Sequence, residues 1–240
     1  MCIRDSLSDD PDLRVGLLLF LVTPCIGWYL IFTELADGDT GLGVSLLDMN
    51  LILQILLLPL YLLLFAGQAV GVDIGHVLRS IGLFFVAPAI AVAVARQLLG
   101  ARRIGLLQSN VSRFHLKTAA LVVVIVAMFA SQGDVVLDNP AVILKLLAPM
   151  VAFFVLAFLA AVTVGRWWSL PHDQTALLVF TTTSRNSEAS LAIAATAFAS
   201  PLVSLTVVAG PIIELPLLVL MVRFLLGLRN DQQSDSEVLV

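Results

Sequence analysis

The chain has 240 residues, of which 60% are hydrophobic and only 12% charged, and its mean hydropathy is +1.03. Soluble globular domains carry about twice that charged share, so the composition excludes an ordinary soluble protein and indicates an integral membrane protein. The formal net charge of -4 and the isoelectric point near 5.2 argue against binding to nucleic acid, which requires clustered Lys and Arg. We therefore expect the partners to be small solutes, ions and the lipid bilayer.

Seven apolar runs are long enough to cross a hydrocarbon core, which takes about 20 residues of helix. Lipid offers backbone groups no hydrogen-bond partners, and these runs are much longer than barrel strands, so we predict an all-α integral membrane protein. The predicted transmembrane domain covers 13–227, between a non-native or disordered leader at 1–12 and a disordered cytoplasmic tail at 228–240. The predicted spans are 13–33, 48–70, 77–99, 114–131, 141–165, 174–199 and 201–227.

Lys and Arg are distributed unequally between the two sides that alternate along a chain with these spans. The positive-inside rule places the richer side in the cytoplasm, so we predict a multi-pass protein of the plasma (inner) membrane with a cytoplasmic C-terminus. The N-terminus then lies outside. Because most bacterial carriers have both ends inside, and residues 1–6 look like an adapter-derived leader, we expect helices to be missing upstream. The richer side holds Arg96, Arg102, Arg103, Arg113, Lys117, Arg166, Arg223 and Arg229, and the other side holds Arg4, Arg14, Arg79 and Lys145.

Two of the predicted spans contain features that interrupt a helix near its middle. In the first span this feature is Pro24, which lacks a backbone donor and clashes with the preceding turn. In the sixth span it is the polar segment at Ser184, where Ser, Thr and Asn side chains compete for backbone hydrogen bonds. Pro211 and Pro216 in the last span are further candidate helix breaks. Paired interrupted helices indicate a carrier with a binding site near the bilayer midplane.

Glu188 lies within the sixth apolar run, where a charge at the bilayer centre costs roughly 2.5 to 3.5 kcal/mol. Such a residue is a functional-site hypothesis. Desolvation favours its neutral form, so we expect it to take up and release a proton. The alternative is a structural ion pair with Arg185, three residues earlier on the same helical face.

Other polar residues in the spans have two readings each. Glu214, between the two prolines of the last span, either shares the site or holds neighbouring helices together. Asn50 and Gln54 lie one turn apart and either complete a polar lining or hydrogen-bond between helices.

The aromatic residues near the predicted span ends fit an interfacial belt. They are Trp28, Tyr29, Trp167 and Trp168.

No phosphate-binding glycine loop, zinc-protease histidine pair or serine-nucleophile elbow occurs in the sequence. We therefore predict a protein that is not an enzyme and has no catalytic residues, cofactor or structural metal. A membrane scaffold or an intramembrane enzyme is a separate class, and it predicts no solute flux.

Three motifs carry a resemblance to a known family. They are 23–26 (Thr-Pro-Cys-Ile) with 34–39, 183–189 (Thr-Ser-Arg-Asn-Ser-Glu-Ala) with 191–194, and 210–216 (Gly-Pro-Ile-Ile-Glu-Leu-Pro). Taken in this order along the chain, the motifs look like the bile acid/sodium symporter superfamily and are most similar to its arsenite permease branch. The resemblance implies ten helices in two inverted five-helix repeats, with the fourth and ninth helices broken and crossing at the centre. The seven spans here would correspond to helices four to ten.

The resemblance implies a secondary active transporter that exports arsenite or antimonite in exchange for protons. It places the functional cysteine at Cys25 and the coupling carboxylate at Glu188. We also expect Asn186 and Arg185 in the substrate site and Glu214 in ion coupling. A thiolate suits a soft metalloid, although a lone buried cysteine is more commonly a small hydrophobe.

Arg185 departs from the family pattern, which typically has a second asparagine at this position. A fixed guanidinium repels a cation, so the change favours protons over sodium as the coupling ion. The same guanidinium could hold the carboxylate of an anionic substrate. The alternative function is therefore a sodium-coupled importer of an organic anion.

Overall fold

A computed structural model describes residues 10–65 apart from Ile26, residues 137–198, residues 200–238 and scattered positions from 75 to 130. Most of the predicted leader and most of the predicted span 114–131 lie outside the described residues, and the predicted span 77–99 is described only in part.

All regular structure in the described ranges is helical. Three of the helices are long and apolar enough to cross a membrane: Thr40–Leu58, Pro140–Trp167 and Pro201–Arg229. The expected all-α membrane protein is thereby confirmed for this part of the chain. The helices are α1 (Pro11–Val22), α2 (Trp28–Leu35), α3 (Thr40–Phe65), α4 (Pro140–Trp167), α5 (His172–Thr183), α6 (Ser187–Ala197) and α7 (Pro201–Val238), with a π-helical turn at Gly82–Val86.

The helix bounds differ from the predicted spans at two places. α3 begins before the predicted residue 48, because Asp39 Oδ1 accepts the Leu42 backbone N–H at 2.8 Å and caps the helix start. α7 continues to Val238, past the boundary predicted at residue 227, because the polar segment that follows contains no proline to end it.

The predicted breaks at Pro211 and Pro216 are not present, since both prolines lie inside the uninterrupted helix α7. A proline removes only one hydrogen bond from a helix. Within a membrane protein, neighbouring helices and small backbone adjustments can satisfy the carbonyl that it frees. Here the prolines leave the helix whole.

α7 packs closely against α1, and glycines make the approach possible. A Cβ added at Gly16 would lie 2.6 Å from Thr206 Cβ and 2.8 Å from the Val203 carbonyl oxygen. A Cβ at Gly210 would lie 2.3 Å from the ring of Phe20, which is fully buried. Small residues at such contacts let helix backbones approach in a membrane, where the hydrophobic effect does not drive association.

Three chain segments meet at one end of the bundle. Arg229 of α7 forms an ion pair with Asp37 at 2.5 Å. The Asp39 backbone N–H donates to the Asp173 carbonyl at 3.0 Å, and His172 Nε2 lies 2.8 Å from the Ala36 carbonyl oxygen. The C-terminal end of α2, the N-terminal end of α5 and Arg229 of α7 therefore lie at the same side of the bundle, as the alternation of predicted spans requires.

Candidate functional site

The interruptions of two broken helices meet in the interior. One separates α1 from α2 and the other separates α5 from α6. The Cys25 backbone N–H donates to the Ser184 carbonyl at 3.1 Å, and the Asn186 N–H donates to the Thr23 carbonyl at 3.0 Å. This short antiparallel pairing satisfies backbone groups that have lost their helical partners.

Hydroxyl groups join the two broken helices beside this pairing. The hydroxyls of Thr23 and Ser190 are in hydrogen-bond contact. Ser190 Oγ also donates to the Asn186 carbonyl at 2.8 Å, and Asn186 Oδ1 accepts the Ala189 N–H at 3.0 Å. Asn186, predicted in the substrate site, therefore caps the start of α6 with its side-chain oxygen.

Arg185 lies opposite Pro24 in the pairing and is only 9% exposed. Its guanidinium donates through Nη2 to the Thr182 carbonyl at 2.6 Å, and its Cζ lies 4.6 Å from the centre of the Phe153 ring. Its Nε has no hydrogen-bond partner among the described residues. The backbone and an aromatic face thus hold this buried cation, and one donor remains unused.

Glu214 reaches the crossing from α7. Its Oε1 accepts the Arg185 backbone N–H at 2.7 Å, and the side chain is 2% exposed. The Arg185 amide lies in a helix interruption, and Glu214 supplies the acceptor that this buried N–H requires. Of its two readings, the contact favours Glu214 as the group that holds the crossing helices together, while its role in ion coupling stays a prediction.

Cys25 and Glu188 are connected by Trp28, the first residue of α2. The Trp28 backbone N–H donates to Cys25 Sγ at 3.0 Å, and its indole Nε1 donates to Glu188 Oε1 at 3.3 Å. Cys25 is 3% exposed and Glu188 is half-buried. Trp28 therefore lies between the candidate soft ligand and the candidate proton carrier.

The structural ion pair between Glu188 and Arg185 is not seen. The described contacts of these two side chains include no ion pair between them. The indole of Trp28 contacts the carboxylate, and the guanidinium turns to Thr182 and Phe153 instead. The interruption separates the two residues, because Arg185 lies outside the helix that begins at Ser187.

The prediction of an aromatic belt was wrong for Trp28 and Tyr29. Both lie at the interruption, and Tyr29 is fully buried with its hydroxyl donating to the Gly43 carbonyl at 2.6 Å. The helix break turns this segment inward, which hydropathy alone does not reveal. One available signal was the spacing of Trp28, three residues after Cys25 at a predicted break. Trp167 and Trp168 are 81% and 68% exposed at the end of α4, as a belt requires.

A cavity of about 380 Å³ adjoins the first interruption, between α1 and α3. Gln54 of α3 is 1% exposed, and neither its amide nitrogen nor its amide oxygen has a partner in the part of the chain that the structure describes. Among the predicted site residues, Pro24 and Arg185 lie in the lining. The lining consists of Leu21, Val22, Pro24, Asn50, Leu53, Gln54, Leu57, Tyr61 and Arg185.

Known proteins resemble this chain along most of its length. It is 26% identical over 240 residues to the arsenical-resistance protein Acr3 of Corynebacterium glutamicum and 24% identical over 226 residues to that of Alkaliphilus metalliredigens, each match covering 92% of this chain. It is 26% identical over 209 residues, 85% of this chain, to the uncharacterized protein YbaS of Bacillus subtilis. The matches span 64%, 63% and 66% of these relatives.

The resemblance read from the sequence motifs is confirmed by a family model. The model described as Sodium Bile acid symporter family matches residues 3–139, which include α1, α2, α3 and the first interruption. Because the match covers more than half of the chain, the chain belongs to the Sodium Bile acid symporter family.

Proposed function

We propose that this chain works as a secondary active transporter that exports arsenite or antimonite in exchange for protons. The observation that carries the proposal is the crossing of the two interruptions, which brings Cys25 and Glu188 to opposite sides of Trp28. Interrupted helices at the centre of a carrier expose half-helix ends and side chains to a solute. Similarity to two arsenical-resistance proteins supports the choice of solute.

Cys25 is the proposed soft ligand. Thiolates and thiols prefer soft centres such as trivalent arsenic, and Cys25 lies in the interruption itself rather than on a helix face. Among the described residues its sulfur is contacted by backbone N–H groups, including that of Trp28 at 3.0 Å.

Glu188 is the proposed proton carrier. It lies in the first turn of α6 and is half-buried, and among the described residues its printed side-chain contact is the neutral indole of Trp28. An ionisable residue within a membrane-spanning segment is a functional-site hypothesis by default. In the proposed cycle, proton binding at Glu188 and metalloid binding at Cys25 alternate as one helix bundle rocks against another.

Arg185 supports protons over sodium as the coupling ion. The guanidinium is buried at the crossing, and a fixed positive charge in a low-dielectric site disfavours a second cation nearby. We further propose the arrangement that goes with this cycle. It comprises two inverted repeats, each with one broken helix, in the plasma (inner) membrane with the C-terminus in the cytoplasm.

A sodium-coupled importer of an organic anion is the second candidate. The observation that favours it is the buried guanidinium of Arg185, a residue of the cavity lining, since a guanidinium can hold a carboxylate. This function predicts uptake that depends on sodium and is unaffected by Cys25→Ala.

Arsenite uptake into everted membrane vesicles, driven in turn by a proton gradient and by a sodium gradient, tests the proposal. We expect proton-driven accumulation that Glu188→Gln abolishes and that Glu34→Gln leaves unchanged. Glu34 is the matched control because its carboxylate is exposed near the end of α2. Arsenite flux under neither gradient would refute the export function.

Arg185→Asn tests the choice of ion. Removing the buried cation should make the flux respond to sodium, whereas Arg185→Lys, which keeps the charge, should not. Sodium-driven flux in the wild-type protein would contradict the role of Arg185 as a sodium excluder.

A further inference from the structure

A second cavity, of about 260 Å³, lies where α4 ends and α5 begins, against the side of α7. Four of its lining side chains are polar, and the others are leucines and a valine. The polar ones come from the last turn of α4, the connecting turn and the first turn of α5. They are Arg166, Ser169, His172 and Thr175.

This cavity lies at the level where the chain leaves the membrane. Two of the apolar stretches long enough to cross a bilayer end beside it, one at Trp167 and the other at Arg229. Trp167 and Trp168 are 81% and 68% exposed, and exposed tryptophans are typical of the headgroup level. We therefore name this space the interfacial cavity.

Arg166 gives the interfacial cavity a positive charge that no carboxylate of its lining offsets. The side chain is exposed, and its guanidinium forms no hydrogen bond or ion pair within the described ranges. The carboxylates of Asp37 and Asp173 line a separate cavity. There Asp37 pairs with Arg229, and Asp173 Oδ1 accepts the Gln174 backbone N–H at 2.9 Å.

The turn after α4 places further donors beside Arg166. Ser169 has a φ of 52°, and its backbone N–H donates to the Arg166 carbonyl at 3.1 Å, which ends the helix. The Ser169 hydroxyl has no partner among the residues that the structure describes. His172 Nε2 donates to the Ala36 carbonyl at 2.8 Å, and this bond fixes the imidazole at the cavity wall.

We propose that the interfacial cavity binds the phosphate group of an anionic membrane phospholipid, with Arg166 as its main charged contact. The inference goes beyond the proposed function and does not depend on the transported solute. Basic pockets between membrane helices are known to hold anionic lipid head groups.

The choice of phosphate follows from the donors. A planar guanidinium matches two phosphate oxygens at once, and the hydroxyls of Ser169 and Thr175 can donate to a third. A free cation is disfavoured by the unpaired charge of Arg166. A choline head group would add a cation beside Arg166, so an anionic lipid is preferred to a zwitterionic one.

The choice of a lipid over a soluble phosphate follows from the change of polarity along the helices. Val162 lies one turn before Arg166 in α4, and Leu225 lies one turn before Arg229 in α7, so the lining becomes apolar towards the membrane interior. A phospholipid changes in the same direction from its head group to its acyl chains. Further along the same two helices, exposed apolar side chains offer a surface for those chains. They are Leu159 of α4 and Leu220 and Phe224 of α7.

Quenching of tryptophan fluorescence by brominated lipids tests the inference on the purified full chain in phosphatidylcholine bilayers. Two of the three tryptophans, Trp167 and Trp168, directly follow Arg166, and Trp28 at the helix crossing adds the same background to every lipid. We expect brominated phosphatidylglycerol to quench with an apparent affinity about fivefold above that of brominated phosphatidylcholine. Equal quenching by the two lipids would overturn the proposed site.

Arg166→Gln should lower this selectivity to about one, because it removes the charge, and Arg166→Lys should keep part of it. Arg223→Gln is the matched control, since Arg223 is an exposed cation of α7 outside the cavity. It should keep most of the selectivity. An equal loss in Arg166→Gln and Arg223→Gln would attribute the preference to general surface charge and overturn the site.

Leu228→Phe separates the cavity from the charge. The larger side chain should fill part of the space and lower the selectivity while every charge stays in place. Val162→Ile, which adds one methyl group to the opposite wall, serves if the phenylalanine variant does not fold, as judged from its unfolding midpoint in detergent. Wild-type selectivity in a folded cavity variant would contradict binding in the cavity.

Inorganic phosphate distinguishes the two sources of the ligand. Added in excess over the lipid, it should displace brominated phosphatidylglycerol no better than sodium chloride of the same ionic strength, because it lacks the apolar part. Displacement by phosphate beyond that of the salt would identify a soluble anion as the ligand and overturn the lipid assignment.

Discussion

Glu214 Oε1 accepts the backbone N–H of Arg185 at 2.7 Å, so a side chain on α7 is hydrogen-bonded to the backbone of the interruption between α5 and α6. The amide belongs to a helix break, where it has no helical partner, and the site excludes water, since Glu214 is 2% exposed. This hydrogen bond connects α7 to Arg185, which pairs with Pro24 in the interruption between α1 and α2.

Glu214→Ala should destabilise the protein because it leaves this buried amide unpaired. We expect a loss of about 1 to 3 kcal/mol in the free energy of unfolding, measured by thermal or denaturant unfolding in detergent. Glu214→Gln keeps an acceptor oxygen and should lose clearly less. An equal loss in the two variants would show that the charge, rather than the hydrogen bond, stabilises the crossing.

Gly16→Ala should weaken the packing of α1 against α7. The added Cβ would meet the Val203 carbonyl oxygen at 2.8 Å, and a backbone atom cannot move aside as a flexible side chain can. We expect a loss of about 1 to 3 kcal/mol in the free energy of unfolding. Gly227→Ala is the control on the same helix pair, because nothing lies within 4 Å of its added Cβ. That change should be neutral or stabilising by up to about 1 kcal/mol.

Cys25→Ser should impair arsenite transport without loss of the fold. The serine hydroxyl can still accept the Trp28 N–H, but it is a poor ligand for a soft metalloid. We expect the KM for arsenite uptake into everted vesicles to rise about tenfold or more. Cys2→Ala, outside the predicted spans, should leave the KM unchanged. A wild-type KM in Cys25→Ser would return Cys25 to the role of a small buried core residue.

Labelling with a membrane-impermeant maleimide should identify the side of the membrane on which α2 and α7 end and α5 begins. In a background with Cys2 and Cys25 replaced by alanine, we expect Glu34→Cys to react only from the cytoplasmic side. Leu137→Cys should react only from outside. Leu137 is 78% exposed and precedes the 28-residue helix α4, whose far end lies on the face of Glu34. The reverse pattern would place the C-terminus outside.

Local chemistry in the sequence was sufficient for the helices and for the two interruptions. The predicted transmembrane span 141–165 lies within α4, Pro140–Trp167, because a long apolar run permits only a helix in lipid. Pro24 and the polar segment at Ser184 lie where α1 and α5 have ended, since each disturbs the hydrogen bonds of its own helix. At Pro211 and Pro216 the same local reasoning failed, because α7 continues through both.

The contacts that complete the site could not be read from the sequence. Trp28 and Glu188 are separated by 160 positions, and Arg185 and Glu214 by 29. The crossing of the broken helices brings the first pair together, and the packing of α7 against the interruption brings the second. Packing also decides which side chains face the cavity. The sequence by itself determined the class of protein, its apolar helices and the candidate residues, because burial in lipid and helix breaking depend on local composition. The tertiary structure decided the partners of those residues, because hydrogen bonds between distant segments depend on where the folded helices cross.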